Sequence, residues 1–541
     1  MTPPDIDHRQ TAQRWLSAEP DDDLRAELVE LLEGPPEVLA ERFTGRLEFG
    51  TAGLRAAVGA GPQRINRLVA RQAAAGLGQW LLDTAGPEVE HGELSVVIGY
   101  DARRKSDTCA ADTARVLAAQ GIRAHLFDQR VPTPVVAWAV TELGASAGVV
   151  VTASHNPPAD NGYKVYLADG SQIVAPIDAE ISARIDRFDP TVIALAASDD
   201  ELIHQIGDEL IEAYLAAVPA VRRAPDVAGV TVAYTALHGV GGAVVERAFA
   251  AAGLPAPAVV AGQHEPDGTF PTVAFPNPEE PGAMDLLLER AAESGAAVAL
   301  ANDPDADRLG VAIPQPDGSW RRLGGDEIGW LLADYILTSG DDDPDAGDRL
   351  VVTTLVSSAL LTKMAAAHGI ESAETFTGFK WIAHEIRERP TKRFVFGYEQ
   401  ALGYLVAERP RDKDGITAAV LFAELAAVAA DRVVTLQGWL DDIAERYGRH
   451  VLADLSVRMD PAAGAAAVAA LRADPPTAIA GRPVVATAEY AEANLLRFEL
   501  EGGVRVQVRP SGTEPKVKLY GEAVGEDPAP FLAALAQELG S

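Results

Sequence analysis

Three aspartates in one short stretch, NDPDADR at residues 302 to 308, define the first chemistry open to this chain. At alternate positions of an extended segment, Asp303, Asp305 and Asp307 project the same way and converge on one point. Carboxylates so placed repel one another unless a hard cation joins them, and an all-oxygen set suits Mg²⁺ or Mn²⁺. A calcium loop of the EF-hand kind would need Gly at its sixth position and Glu at its twelfth, where this chain has Arg308 and Pro314. A metal-dependent phosphatase of the haloacid-dehalogenase type is a second candidate. Asp305 and Asp307 supply its DxD, but Leu309 stands where Thr or Val belongs.

A second stretch, VTASHNPPADNGYKVY at residues 151 to 166, places Ser154, His155 and Asn156 side by side ahead of two prolines. A serine hydrolase would set its nucleophile in GxSxG, which is absent here. Adjacent residues on an extended chain point apart, so His155 is poorly placed as a base for Ser154. Phosphorylation suits the serine better, because a phosphoserine carries about two negative charges and an oxygen that can add a ligand to a metal.

The third stretch, RPSGTEP at residues 509 to 515, follows a strand-like run. Arg509 offers a bidentate fork, while Ser511, Gly512 and Thr513 offer hydroxyls and backbone N–H groups in a turn, which together make a phosphate cradle. It is not a Walker A loop, since GxxxxGK[ST] is missing. The chain holds 8 Lys against 38 Arg, and only lysine can give up a proton at useful pH. Lys164 and Lys413 are therefore candidate proton-transfer groups, although a lysine is more often a solvated side chain.

These residues need elements to hold them. Apolar β-branched runs alternate with Ala- and Leu-rich helical stretches, the pattern of an α/β protein with parallel strands. Three blocks repeat one scheme. Runs at 95 to 101, 229 to 235 and 349 to 354 each open a block, and runs at 148 to 156, 297 to 307 and 393 to 400 each end on polar residues. The reading is three consecutive α/β domains with mixed or parallel sheets, each presenting a polar loop at a strand's carboxyl end, followed by an α+β domain, around one central cleft. The expected segments are 1–215 for the serine loop, 216–320 for the aspartate loop, 321–450 and 451–541 for the phosphate loop. The Ala-rich stretch at 416 to 432 reads as a long helix, and HGVGGAV at 238 to 244 as a tight strand-to-helix turn, since Val244 replaces the third glycine of a dinucleotide fingerprint.

Composition narrows the classes of partner. With a net charge of -33, the chain is a poor match for nucleic acid or an anionic membrane, both of which need a basic face. One cysteine, Cys109, leaves no disulfide framework. The opening residues lack a basic and apolar leader, and the best apolar stretch, 416 to 431, carries Glu424 in its middle, so the expected compartment is the cytoplasm.

Taken together, TASHNP with NGYK (152 to 157 and 161 to 164), DPDADR (303 to 308) and RPSGTEP (509 to 515) resemble, in that order, signatures of the α-D-phosphohexomutase superfamily of phosphoglucomutases and phosphomannomutases. The likeness runs from FGTAGLR at residue 49 into the last domain. It implies an isomerase that acts through a phosphoserine and a sugar bisphosphate, with the bisphosphate also needed as an activator. Ser154 would be the phosphoserine, and Ser154, Asp303, Asp305 and Asp307 the ligands of one Mg²⁺ per chain. His155, Lys164 and Lys413 would serve acid–base steps. Arg55, Arg308, Thr377, Gly378, Glu399, Arg509, Ser511, Gly512 and Thr513 would bind substrate.

One loop departs from the pattern. Many members of the superfamily read G-E-x-S where this chain has YEQALGY, residues 398 to 404, which keeps Glu399 but places Ala401 at the serine. With YTALHGVGG and TGFKWI, this resembles the subgroup that includes phosphopentomutases. Ribose or deoxyribose 1-phosphate is therefore expected to compete with glucose 1-phosphate. The expected partners are small phosphosugars, with the chain a monomer or small homo-oligomer. A non-catalytic sugar-phosphate binder is the remaining alternative, and it would show no turnover and no Mg²⁺ requirement.

Overall fold

The computed structural model describes residues 8–50, 53–339, 346–510 and 516–539. The chain divides into two compact units, one of residues 1–323 with 402–431, the other of residues 324–401 with 432–541.

The first unit holds two sheets. In the larger, the order is Leu54–Ala57, Asp160–Leu167, Ala147–Val151, Ser95–Tyr100, Arg123–Phe127 and Ile203–Ile206. The strands from Ala147–Val151 to Ile203–Ile206 are parallel neighbours, and Asp160–Leu167 turns back antiparallel onto Ala147–Val151. The Val- and Ile-rich sequences of Ser95–Tyr100 and Ala147–Val151 are buried on both faces, as central parallel strands between helices require. The smaller sheet runs Trp320–Arg322, Gly310–Pro314, Val298–Ala301, Val232–Thr235 and Ala258–Val259.

Helix Gly415–Asp431 is buried along nearly its whole length, which explains an apolar run without a polar face. Its one buried charge, Glu424, accepts from Arg222 Nε at 2.6 Å and from the backbone N–H groups of Arg223 and Ala224. Among the described residues, no helix is long and apolar enough to cross a membrane. Ahead of the larger sheet, helices His8–Ala18, Asp22–Glu33 and Pro36–Phe43 pack Trp15, Leu28 and Phe43 against Leu68 and Val69 of helix Arg67–Ala85.

In the second unit, Arg349–Thr354 lies between Glu371–Thr375 and Arg393–Glu399, parallel to both. A six-stranded antiparallel sheet follows, in the order His450–Arg458, Lys516–Val524, Val504–Pro510, Leu495–Leu500, Arg482–Tyr490 and Ala478–Ile479. Helices Pro461–Ala473 and Ala529–Leu539 bury Val468, Leu471, Phe531 and Leu535 against one face of it.

The repeated scheme of the sequence has a simple structural form. In each block the opening run and the run that ends in polar residues are adjacent parallel strands: Tyr100 pairs with Val151, Thr235 with Ala301, and Thr353 with Tyr398. Each polar loop therefore leaves the carboxyl edge of its own sheet, where open α/β sheets present ligands.

Candidate active site

Within the first unit, the serine loop and the aspartate loop meet. Ser154 Oγ donates to Asp303 Oδ2 at 2.7 Å, across 149 residues of sequence. Both residues are buried, as are Asp305 and Asp307. The aspartates converge as expected, but by a different route: residues 302 to 307 form a turn, with Ala306 at φ 57°, and are not extended.

Asn302 ties the two ends of that turn, accepting from Tyr234 Oη at 2.9 Å and donating to Arg308 O at 2.6 Å. From behind, the 236–241 turn presses close. Val240 N–H donates to Pro304 O at 2.8 Å, and a Cβ on Gly239 would stand 2.4 Å from Pro304 Cα, so glycine is required there. The glycine-rich turn thus serves the aspartate loop, a role its own motif did not reveal.

Ser154 itself adopts a left-handed conformation, φ 52°, with its N–H donating to Thr152 Oγ1 at 2.8 Å. This corrects the expectation for His155. Because the chain turns sharply at Ser154, neighbouring side chains no longer point apart, and His155 Nδ1 lies 3.2 Å from Ser154 Oγ. Burial, followed by the Arg308 and Arg55 charges, holds the His155 imidazole well below its ordinary range, so it is neutral at pH 7.

The two lysines are no solvated side chains. Lys164, on the antiparallel strand Asp160–Leu167, is buried and donates to Asp305 Oδ2 at 2.7 Å and Asp307 Oδ2 at 2.8 Å. Lys413 Nζ stands 3.1 Å from Asp307 Oδ2. Burial would raise the carboxyls of Asp305 and Asp307, but Lys164 and the surrounding cations overcome it and hold both low. Asp303, buried beside two other carboxylates, is pushed well above the usual range. A divalent cation would relieve that repulsion.

The fit to such a cation rests on the oxygens. The three aspartates each offer an oxygen, all within 4.8 Å of one another. Asp305 Oδ1 and Asp307 Oδ1 are buried and accept no hydrogen bond. Leaving a buried polar atom without a partner costs about 1–3 kcal/mol, and more when the group is charged, so a cation bound by these two oxygens would offset that cost. An all-oxygen set of this kind suits Mg²⁺.

Two further cations surround the site. Arg55, on strand Leu54–Ala57, donates through Nη1 to Asn156 Oδ1 at 3.2 Å, and the Arg308 N–H donates to Asp303 Oδ1 at 3.0 Å. Thr133, not foreseen from sequence, donates through Oγ1 to Asp305 Oδ2 at 2.7 Å and through its N–H to Asp305 O. Nothing in its local sequence, VPTPVV, separates it from an ordinary helix start.

The other expected contacts lie in the second unit. Glu399 is buried at the end of strand Arg393–Glu399, and Gly378, at φ 110°, precedes helix Phe379–Glu388 with Thr377 before it. Arg509 stands on strand Val504–Pro510, while Ser511, Gly512 and Thr513 lie outside the described residues.

Comparison with known proteins agrees with this geometry. Four family models match in order: phosphoglucomutase/phosphomannomutase α/β/α domain I at residues 46–191, domain II at 211–318, domain III at 324–447, and the C-terminal domain at 455–534. A Haemophilus influenzae protein named "probable phosphomannomutase" is 41% identical over 483 residues, covering 87% of this chain and 96% of its own. The human phosphopentomutase is 35% identical, covering 95% and 91%. The crystal structure of a phosphoglucomutase/phosphomannomutase family protein from Burkholderia thailandensis shares the fold, with a TM-score of 0.68 at 21% identity over 90% of this chain and 96% of that one. With four models matched in order along the chain and these relatives spanning nearly all of it, the chain belongs to the phosphoglucomutase/phosphomannomutase family.

Proposed function

We propose that this phosphosugar mutase moves a phosphoryl group between position 1 of a sugar and its position 6 or 5 by way of phosphorylated Ser154. The observation that carries the reading is Ser154 Oγ at 2.7 Å from Asp303, beside two buried carboxylate oxygens that have no hydrogen-bond partner. Asp303, Asp305 and Asp307, with an oxygen of Ser154, would hold one Mg²⁺. That ion, when bound, would neutralise charge on the phosphoryl oxygens.

The free hydroxyl of a bound sugar monophosphate attacks the phosphorus on Ser154. The bond from phosphorus to Oγ breaks as the new ester forms, and a sugar bisphosphate results. The hydroxyl proton passes to one neighbouring group and Ser154 Oγ takes up a proton from another as it leaves; His155, Lys164 and Lys413 are the candidates for these transfers. The bisphosphate then reverses, and its other phosphoryl group returns to Ser154. Arg55 and Arg308 steady the group in transfer. Arg509, Ser511, Gly512 and Thr513 grip the phosphate that is not reacting, while Glu399, with Thr377 and Gly378, receives the sugar. An enzyme that has lost its phosphoryl group is recharged by a sugar bisphosphate.

Ala401, in place of a hydroxyl-bearing residue, removes one hydrogen-bonding group from the sugar loop. Ribose or deoxyribose 1-phosphate therefore competes with glucose 1-phosphate.

The test is direct. Peptide mass analysis after incubation with glucose 1,6-bisphosphate is expected to find a phosphoryl group on Ser154, and Ser154→Ala to lower mutase turnover at least ~10³-fold. Normal turnover in that variant, measured by coupled assay on hexose and pentose 1-phosphates, would sink the mechanism.

A further inference from the structure

Behind the Ser154 turn lies a guanidinium that the steps above do not use. Arg103, on the loop that follows strand Ser95–Tyr100, has a fully buried side chain. Its Nη2 donates to Ser154 O at 2.6 Å and Asn156 O at 2.5 Å; its Nη1 donates to Pro157 O at 2.8 Å and Asp160 O at 3.0 Å. Four carbonyls of one loop thus point at a single planar group.

A buried arginine ordinarily spends its donors on a carboxylate. Here the paired carboxylate, Asp101, stands off at 3.4 Å from Nε, and its Oδ1 is taken by the Arg103 N–H at 2.9 Å and Ser106 Oγ at 2.6 Å. The fork is committed to backbone. That backbone includes Ser154, whose left-handed φ of 52° is a conformation that a non-glycine residue keeps only where its surroundings impose it. The same turn is what aims Oγ at Asp303.

Arg103 is itself held from the side. Lys105, two residues on, is also left-handed and reaches Asp21 and Asp23 at 2.8 and 2.9 Å, just before and on helix Asp22–Glu33 respectively. That helix lies ahead of the first matched family domain, which begins at residue 46.

We propose that Arg103 is the positioning residue for phosphoryl transfer: its four carbonyl contacts fix the Ser154 turn, and the buried positive charge stays beside the loop whether or not Ser154 carries phosphate. This rests on Ser154 as the phosphate carrier. Binding of the sugar phosphate, which involves other residues, does not depend on Arg103.

The experiment uses the full-length enzyme with Arg103→Lys and Arg103→Gln. Lysine keeps the charge but cannot span four carbonyls. Rapid-quench mass analysis follows phosphorylation of Ser154 by saturating glucose 1,6-bisphosphate, alongside steady-state kcat and KM. The expected result is a fall of about 10²-fold in the phosphorylation rate and kcat of Arg103→Lys, with KM held within about threefold. A purely structural role would lower the folded fraction and leave the rate per folded, phosphorylatable molecule unchanged. Wild-type rates in folded Arg103→Lys, or a loss confined to KM, would overturn the proposal. If Arg103→Gln does not fold, the Lys variant alone decides. No phosphate on Ser154 in the wild-type enzyme would instead defeat the reading on which this one rests.

Discussion

Two buried acidic centres in this molecule are built on opposite principles. In the first unit, Asp305 and Asp307 each keep one buried oxygen without a hydrogen bond, next to Ser154. In the second, Glu522 is fully partnered. Its Oε1 accepts from Ser358 Oγ at 2.5 Å and lies 2.6 Å from His450 Nδ1, its Oε2 accepts from Arg505 Nη2 at 2.5 Å, and the Ala359 N–H reaches both. Burial pushes the Glu522 carboxyl up, but these partners outweigh it and bring it down to about 2 from 4.5. The satisfied centre is scaffold. The unsatisfied one keeps acceptors in reserve, which is the state expected of ligands to a cation.

The largest expected effect is on the unsatisfied centre. Asp305→Asn should lower turnover by ~10²–10³-fold, the loss of several kcal/mol of charge stabilisation. It should also abolish the rise in melting temperature expected of the wild-type protein on adding Mg²⁺, and should lower metal-free stability as well, because the ionised carboxylate is the partner of Lys164 and Thr133. If Mg²⁺ raised the melting temperature of Asp305→Asn as much as that of the wild-type protein, or that of a Glu522 variant less, the distinction between the two centres would fail.

Next in size is Glu522→Gln. A carboxyl whose pKa is lowered on folding contributes stability that is present above its unfolded value and lost as pH falls toward its folded value. The window here runs from about 4.5 down to about 2. The variant should be less stable than wild type by on the order of 3 kcal/mol at neutral pH, with the gap closing toward pH 2, as read from urea unfolding across that range. A gap that persists unchanged at pH 2 would show that packing, and not charge, holds this centre.

The smallest effect sharpens the comparison. Ser358→Ala removes one neutral donor from Glu522 and should cost about 1–2 kcal/mol in the same measurement, with kcat on glucose 1-phosphate unchanged. A fall in kcat without a fall in stability would move Ser358 out of the scaffold.

The difference between the centres also marks what could be read in advance. The aspartate loop announces itself, because three carboxylates at alternate positions are costly without a cation. Glu522 sits in KVKLYGEAV, an ordinary strand sequence, and its partners Ser358, His450 and Arg505 come from three separate segments. Likewise His155 was legible as a neighbour of Ser154 but not as its hydrogen-bond partner, since that depends on a left-handed turn that no residue type there dictates. Arg103 and Thr133 were missed because their targets are a set of backbone carbonyls and a side chain more than a hundred residues away.

The sequence by itself determined the order of the α/β blocks, the polar loop at the end of each second run, and the residue types able to carry phosphate and hold a hard cation. Strand period, apolar burial and carboxylate repulsion are local properties, and local sequence suffices for them. Only the tertiary structure decided which groups meet: Ser154 with Asp303, Lys164 with Asp305 and Asp307, and Arg103 with the carbonyls behind the serine. Those contacts are set by the parallel pairing of strands far apart in the chain and by turns with positive φ, and their energies arise only once burial has removed the competing water.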